Sequence, residues 1–289
     1  MFMHTRTERQ AILMGSTVFN TYRDNALYYH HTRTEHPSAD DFTFRSHSHS
    51  MCEIYYFLEG NASFVVEGDI HILKKGTLIL TDRGQIHNIR IHSGDVPYER
   101  TAILFLPTVS PKGFDAVFHS MRQGVNCFYL SESEQAWMDS TLRMLSSPVD
   151  GVDTPAILTA VIGIILTKAA TLLEQRPLMK PVNDDIVQEI IRFINANLSA
   201  DWRLDDLERT LFRDKAYLNR RFNRVMGCSI WEYTLRRRVF AAQQHLYLSR
   251  SVADAFRISG FQDYSSFYRR YRKYIGLSPS EDLKMMQSK

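Results

Sequence analysis

Cysteine is scarce. Cys52, Cys127 and Cys228 are odd in number, far apart and in no CxxC arrangement, which argues against a disulfide framework or a zinc finger and fits a reducing cytoplasm. Long hydrophobic runs are missing too. The longest, Ala156 to Leu166, is followed soon by Lys168 and is too short to span a bilayer. The first ten residues lack the apolar centre of a signal peptide, so the expected location is the cytoplasm, with no membrane partner. There is no glycine-rich phosphate loop, no GxSxG elbow, no acidic pair on one helix face and no low-complexity segment. Serine, histidine and glutamate are too scattered for spacing to define a triad.

What is present suits two domains. A chain of 289 residues, 44% hydrophobic and 23% charged, can fill ordinary cores and stay hydrated outside. The net charge of +3 is unevenly placed. From residue 183 onward there are 19 Lys+Arg against 13 Asp+Glu, and before it 16 against 19. A basic half joined to an acidic half fits a nucleic-acid domain fused to a regulatory one.

Residues 1–45 are polar without a period and read as a lead-in with at most short strands. From about Arg45 to Leu106 the pattern is one of strands: Glu53–Leu58, Ala62–Val66, Ile70–Ile72, Thr77–Leu80 and Tyr98–Leu106, with turns at Glu59-Gly60-Asn61, Gly68-Asp69 and Asp82-Arg83-Gly84. Short strands at this spacing predict a small barrel or sandwich. Helices follow, at Ser131–Leu145 with Ser131 as cap ahead of Glu134, and from Thr154-Pro155 onward. The second is apolar almost all round (Ile157, Leu158, Val161, Ile162, Ile164, Ile165, Leu172), so it must be covered on two sides, by its own barrel and by either a partner subunit or the same monomer. Residues 176–183 hold two prolines and no period, and read as the linker. Asp184–Leu198 is an amphipathic helix beyond it.

The most informative stretch runs from Trp202 to about Leu283 and holds two helix-turn-helix units. In the first, Leu204-Asp205-Asp206-Leu207 opens a short helix, Leu211-Phe212-Arg213 turns, and Asp214 caps a helix that Gly227 ends. Leu218, Phe222 and Val225 share one face of it, and Lys215, Ala216, Asn219, Arg220 and Asn223 the other. Trp231–Leu248 joins this unit to the second. There Gly260 permits a tight turn, Asp263 caps, and Phe267, Tyr271 and Tyr274 recur on a core face opposite Tyr264, Ser265, Tyr268, Arg269 and Arg272. A helix with one apolar face and one face of arginine, serine and tyrosine suits a DNA major groove.

The ordered set Asp214-x-x-Tyr217-Leu218-x-Arg220-x-Phe222, Gly227, Tyr233, then Gly260-Phe261-x-Asp263-x-Ser265-x-Phe267-x-Arg269-x-Tyr271-x-Lys273, Gly276 and Pro279 resembles the AraC/XylS family of transcription regulators over roughly the last hundred residues. It departs from the family where Glu208 and Phe256 replace a small alanine and Phe212 replaces the turn glycine. The resemblance implies base-facing roles for Ala216, Asn219, Arg220, Ser265, Tyr268 and Arg269. Lys215, Arg224, Arg270, Arg272 and Lys273 are candidates for phosphate contacts, which give affinity rather than specificity.

In the N-terminal half, His47-x-His49-x₃-Glu53-x₆-Gly60 and Gly76-x₇-Gly84-x₂-His87 resemble the two motifs of the cupin barrel, with Asp82 and Ile91 replacing the usual proline and asparagine. His47, His49, Glu53, Tyr55 and Phe57 share parity, so one continuous strand would present them on one side. Three imidazoles and a carboxylate can hold a divalent metal with open positions. In regulatory relatives such positions more often line a small-ligand pocket, and plain structural hydrogen bonding is the third reading.

The expectation is therefore an all-β cupin-like barrel with following α-helices over residues 1–175, which senses an effector (His47, His49, Glu53, Tyr55 and His87) and dimerises. A linker at 176–183 leads to an all-α tandem helix-turn-helix domain at 184–289 that binds double-stranded promoter DNA. The resemblance implies a carbohydrate or another small molecule as effector, a homodimer, and RNA polymerase as a further partner. No enzyme activity is expected and no cofactor is required. A metal-dependent cupin enzyme or sensor fused to the DNA-binding domain, and a ligand-independent activator, are the alternatives.

Overall fold

Among the described residues, ten strands and ten helices of at least seven residues are arranged as layers. The computed structural model describes residues 16–38, 41, 44–124, 127–146, 153–175 and 181–287. The strands are Ser16–Arg23 (β1), Leu27–Thr34 (β2), Cys52–Glu59 (β3), Ala62–Val66 (β4), Asp69–Ile72 (β5), Thr77–Thr81 (β6), His87–Ile91 (β7), Tyr98–Phe105 (β8), Cys127–Tyr129 (β9) and Val182–Asn183 (β10). The helices are Asp115–Arg122 (α1), Glu132–Arg143 (α2), Thr154–Gln175 (α3), Asp185–Ala196 (α4), Leu204–Leu211 (α5), Lys215–Met226 (α6), Ile230–Ser249 (α7), Val252–Ile258 (α8), Tyr264–Ile275 (α9) and Pro279–Gln287 (α10).

The strands form two antiparallel sheets rather than one closed ring: β1-β2-β8-β3-β6-β9 and β10-β5-β4-β7. Strand parity sets the layers. Tyr55, Phe57, Ile79 and Tyr98 from the large sheet meet Ala62, Phe64, Val66 and Ile89 from the small one in the central core. The alternate residues Ile54, Tyr56, Leu78, Leu80 and Ile103 face outward, where α1, α2 and α3 cover them. On the far side, Val65 and Ile70 of the small sheet, with Ile86, pack against α4 and α6 through Val187, Ile190, Ile191, Leu218, Phe222 and Val225. One continuous core thus joins the β part to the first helix-turn-helix unit. A separate core of Val239, Leu246, Ala255, Phe267, Tyr271 and Ile275 serves the second.

Two sequence expectations are corrected. The polar lead-in contains β1 and β2, each eight residues long. Their polarity has a physical cause: β1 is an edge strand alternating half-buried and exposed residues, and the polar groups of β2 are paired across the sheet. His31 lies 2.7 Å from Glu99, and Arg33 donates to Glu59 and Glu99 at 2.6 and 2.8 Å. The apolar run at 156–166 belongs to a longer helix. α3 is 22 residues long and, by length and composition, could cross a bilayer. It continues through Lys168, which pairs with Glu134 at 2.9 Å, and buries Leu158, Val161, Ile162, Ile165, Leu166, Ala169 and Leu172 against the large sheet. The opposite stripe, Ala156, Ala160, Ile164 and Thr167, is exposed. β7, β9, β10 and α1 had no sequence assignment. Residues 176–180 of the expected linker lie outside the described residues. Val182 and Asn183, at its end, pair with Ile70 and Asp69.

The caps expected at Ser131, Asp214 and Asp263 are present, and Asp184 is a further one that the sequence reading did not name. Ser131 forms a capping box with Glu134. Asp184, Asp214 and Asp263 each accept from a backbone amide at the start of α4, α6 and α9. Such caps are worth about 0.5–2 kcal/mol each.

Candidate functional site

Two recognition helices present a basic face. In α6 the buried side holds Leu218, Phe222, Val225 and Met226, while Lys215, Ala216, Arg220, Asn223 and Arg224 are exposed. In α9 the buried side holds Phe267, Tyr271 and Ile275, while Ser265, Arg269, Arg272 and Lys273 are exposed and Tyr268 is half-buried. Gly227 and Gly276 end these helices in the left-handed region, at φ 67° and 85°.

The turns leading into the helices are built differently. Gly260, at φ 75°, lies so close to the α4–α5 connection that a Cβ there would sit 2.7 Å from the Leu198 carbonyl oxygen and 2.9 Å from Ser199 Cα. Arg238 holds the same connection by donating to Leu198 O at 2.8 Å and Ala200 O at 2.7 Å. In the first unit Phe212 takes the left-handed turn conformation at φ 51°, with its ring 84% exposed. The aromatic residue at the glycine position is tolerated because nothing crowds it.

Several expected DNA contacts also have partners within the chain. Asn219 accepts the Ile230 amide at 3.0 Å, tying α6 to the first residue of α7. Lys215 pairs with Asp205. Lys273 and Arg270 lie 3.3 and 3.7 Å from Glu232, which also accepts from Tyr274 at 2.8 Å. Burial pushes the Glu232 carboxyl up, but the Tyr274 hydrogen bond and Lys273 outweigh it and hold it below the usual range.

The second site is the end of the β part where His47, His49, Glu53 and His87 converge. The expected single strand does not exist, because β3 begins at Cys52. The cluster is assembled by a backbone bridge instead: His47 N donates to His87 O and His87 N to His47 O, both at 2.9 Å. Ring centroids of His47 and His49 lie 4.3 and 5.1 Å from that of His87. One ring nitrogen from each histidine lies within 4.8 Å of the others.

Hydrogen bonding fixes the tautomers. Nδ1 of His47, His49 and His87 lies 2.9, 2.7 and 2.9 Å from the carbonyl oxygens of Arg45, Met51 and Gln85. A carbonyl only accepts, so each Nδ1 donates there, which leaves each ring's Nε2 as the atom available to other partners. Glu53 Oε2 sits 3.5 and 3.2 Å from Nε2 of His49 and His87. That is ion-pair distance, but the alignment is wrong for hydrogen bonding, and all three atoms are buried without a hydrogen-bond partner. Burial pushes the Glu53 carboxyl up, yet His49 and His87 hold it well below the usual range. His47 keeps some solvent contact, but its ring is closely surrounded, and this desolvation together with His87 and His49 keeps it well below the ordinary imidazole range. Three imidazole rings and the Glu53 carboxylate thus converge at one point. That donor set, three imidazoles and a carboxylate, fits a divalent transition metal. Tyr55, expected to contact ligand, lies deeper: its hydroxyl is 2.6 Å from that of Tyr98 and its ring packs on Phe64, which stacks 5.5 Å from His87.

Sequence reasoning missed the contacts between the two parts. Asn88 Nδ2 donates to Met226 O at 2.8 Å and Val225 O at 3.3 Å, the C-terminal carbonyls of α6. Arg236 donates to Ser46 O at 2.8 Å. The β4–β5 turn enters the helical part. Glu67, at φ 48°, accepts from Tyr233, and a Cβ on Gly68 would sit 2.6 Å from Ile191 Cδ1. The hairpin signal at Gly68 was the one trace of this in the sequence.

A basic tandem helix-turn-helix domain on a β domain with an internal polar cluster defines a DNA-binding regulator with a ligand-binding domain. Comparisons with known proteins agree. The model of the AraC-like ligand binding domain matches residues 30–111, and that of a helix-turn-helix domain matches residues 208–285. The HTH-type transcriptional activator AarP of Providencia stuartii is 33% identical over 96 residues, 33% of this chain and 71% of that protein. The lactose operon transcription activator of Staphylococcus xylosus is 31% identical over 116 residues, 38% of this chain and 42% of that protein. The HTH-type transcriptional regulator GbdR of Pseudomonas aeruginosa is 30% identical over 105 residues, 36% of this chain and 29% of that protein. The chain therefore matches less than half the length of the last two. ToxT from Vibrio cholerae aligns over 90% of this chain and 99% of its own, at 12% identity and a TM-score of 0.38. The chain belongs to the AraC family of transcription regulators.

Proposed function

We propose that this AraC-family regulator reads two successive major-groove segments of promoter DNA with α6 and α9, under control of an effector bound at the His47, His49, Glu53 and His87 end of the β part. The observation that carries the reading is the pair of helices whose apolar sides are buried while their arginine-bearing sides stay exposed. Ala216, Arg220, Ser265, Tyr268 and Arg269 are the proposed base readers, Arg being suited to guanine O6 and N7. Arg224 and Arg272 are the proposed phosphate contacts, joined by Lys215 and Lys273 when DNA displaces their acidic partners.

The proposed division is 1–175 for sensing, 176–183 as linker and 184–289 for DNA binding, with docking across the small sheet as the route of communication. The exposed stripe of α3 is the proposed dimer contact, RNA polymerase a further partner and the cytoplasm the location. The relatives are transcription regulators, and we read this chain as a regulator without catalytic activity. An effector acts only by binding one docked arrangement better than another.

Selection of duplexes from a random pool by the full chain tests the reading. Enrichment of a bipartite site is expected, and no enrichment over a basic control protein refutes it.

A further inference from the structure

The turns that lead into the two recognition helices meet the same backbone demand in opposite ways. Both take the left-handed conformation, Phe212 at φ 51° and Gly260 at φ 75°. Glycine is forced at 260, because backbone atoms of the α4–α5 connection occupy the place of a Cβ. Phenylalanine is not forced at 212. Glycine would sit there with less strain, since an L side chain at positive φ is disfavoured. The ring gains little from the fold, for the residue is 84% exposed. A strained aromatic held out in solvent points to a contact outside the chain.

Its position names the partner. In a helix-turn-helix unit the first helix crosses the DNA backbone, and the second enters the major groove by its N-terminal end. The turn between α5 and α6 therefore stands at the rim of the groove. Residues 212–217 are all exposed, and basic side chains flank the ring. Arg213 donates to the Phe212 carbonyl at 3.1 Å, and Arg209, 77% exposed, lies in the last turn of α5. Asp205, Asp206 and Asp214 are engaged inside the unit, by Lys215, Arg209 and the Tyr217 amide. Basic groups around an exposed aromatic fit a polyanion, and an apolar ring at a base edge fits the C5-methyl of thymine.

We propose that Phe212 is a specificity-determining residue that packs on the C5-methyl of a thymine at the outer edge of the segment read by α6. The inference rests on the reading of α6 as a recognition helix. The ring reads the methyl by burial, so the contact tells thymine from uracil, which offers the same hydrogen-bonding groups without it. The turn before α9 has no counterpart, because Gly260 has no room for a side chain. The preference therefore belongs to one half-site only.

The test selects duplexes from a random pool with the full wild-type chain and with Phe212→Gly, a variant that relieves strain at the turn. The wild type is expected to fix a thymine at the outer edge of one half-site, and the variant to lose that preference alone. Replacing that thymine by deoxyuridine should weaken wild-type binding about fourfold, the worth of burying one methyl group. Phe212→Gly should bind the two duplexes equally, and Phe212→Leu should keep part of the difference. Equal selection by both chains, or a uracil penalty that survives Phe212→Gly, overturns the inference. So does a variant that binds every duplex as the wild type does but no longer regulates transcription with polymerase, which would assign the ring to a protein partner. A wild-type chain that selects no duplex sinks the reading of α6 itself, whereas one that selects a site with no fixed thymine there sinks only the role of Phe212.

Discussion

The phenol of Tyr233 donates to the carboxylate of Glu67, joining the first turn of α7 to the tip of the β4–β5 hairpin. Tyr233 is fully buried, and Glu67 is held in a left-handed turn beside Arg237 and the Ile86 amide. Removing the phenolic hydrogen leaves a partly buried carboxylate short of a donor. Tyr233→Phe should therefore cost about 1.5–3 kcal/mol, the range for hydrogen bonds to charged groups. Thermal denaturation measures it, and an unchanged midpoint would show the contact to be incidental.

Asp69, next in that hairpin, has its carboxyl raised to about 6 by burial and by the nearby Glu67. The folded chain therefore binds a proton that the unfolded chain releases from about 3.8 upward. The sign follows: this group's contribution to stability is full below pH 3.8 and falls as pH rises through 6. Asp69→Asn, which can still accept from Gln188, should stabilise the protein above pH 6 by about 1 kcal/mol after allowance for solvent screening. The advantage should vanish toward pH 4. Denaturant midpoints of both chains at pH 4, 6 and 8 decide it.

The two turns should respond oppositely to glycine chemistry. Phe212 is exposed at positive φ, so Phe212→Gly should exceed Phe212→Ala in stability by about 1 kcal/mol through relief of left-handed strain. Gly260 has positive φ and backbone atoms where a Cβ would go. Gly260→Ala should cost about 1–3 kcal/mol. Equal responses at the two sites would contradict the geometry.

On DNA, Arg269→Ala should weaken binding to the selected duplex far more than to random duplex, by about 1–3 kcal/mol of discrimination. Arg272→Ala should weaken both alike and lower the salt dependence by about one unit of slope. Competition assays at several salt concentrations separate the two outcomes.

Much of the fold was legible because local chemistry and tertiary packing agree. Asp214 and Asp263 cap because acidic side chains satisfy free amides at helix starts, and Phe222 and Phe267 fall on buried faces by helical spacing. β1 and β2 were missed because an edge strand and a strand of paired charges carry little apolar period. The four cluster residues were found from their spacing, although a bridge at His47–His87 brings them together and not the single strand that parity suggested. The second partner of Asn219 was not legible, because helix position cannot reveal that its oxygen accepts the Ile230 amide. Ser46 and Asn88 carried no signal, since their role exists only where two distant parts of the chain meet.

Hydroxyl-radical footprinting of the full chain on its selected duplex tests the central claim most directly. Two protected segments about 34 Å apart, one DNA turn, are expected, one lost in Arg220→Ala and the other in Arg269→Ala. A single protected segment, or two that both variants weaken equally, would contradict reading by two recognition helices.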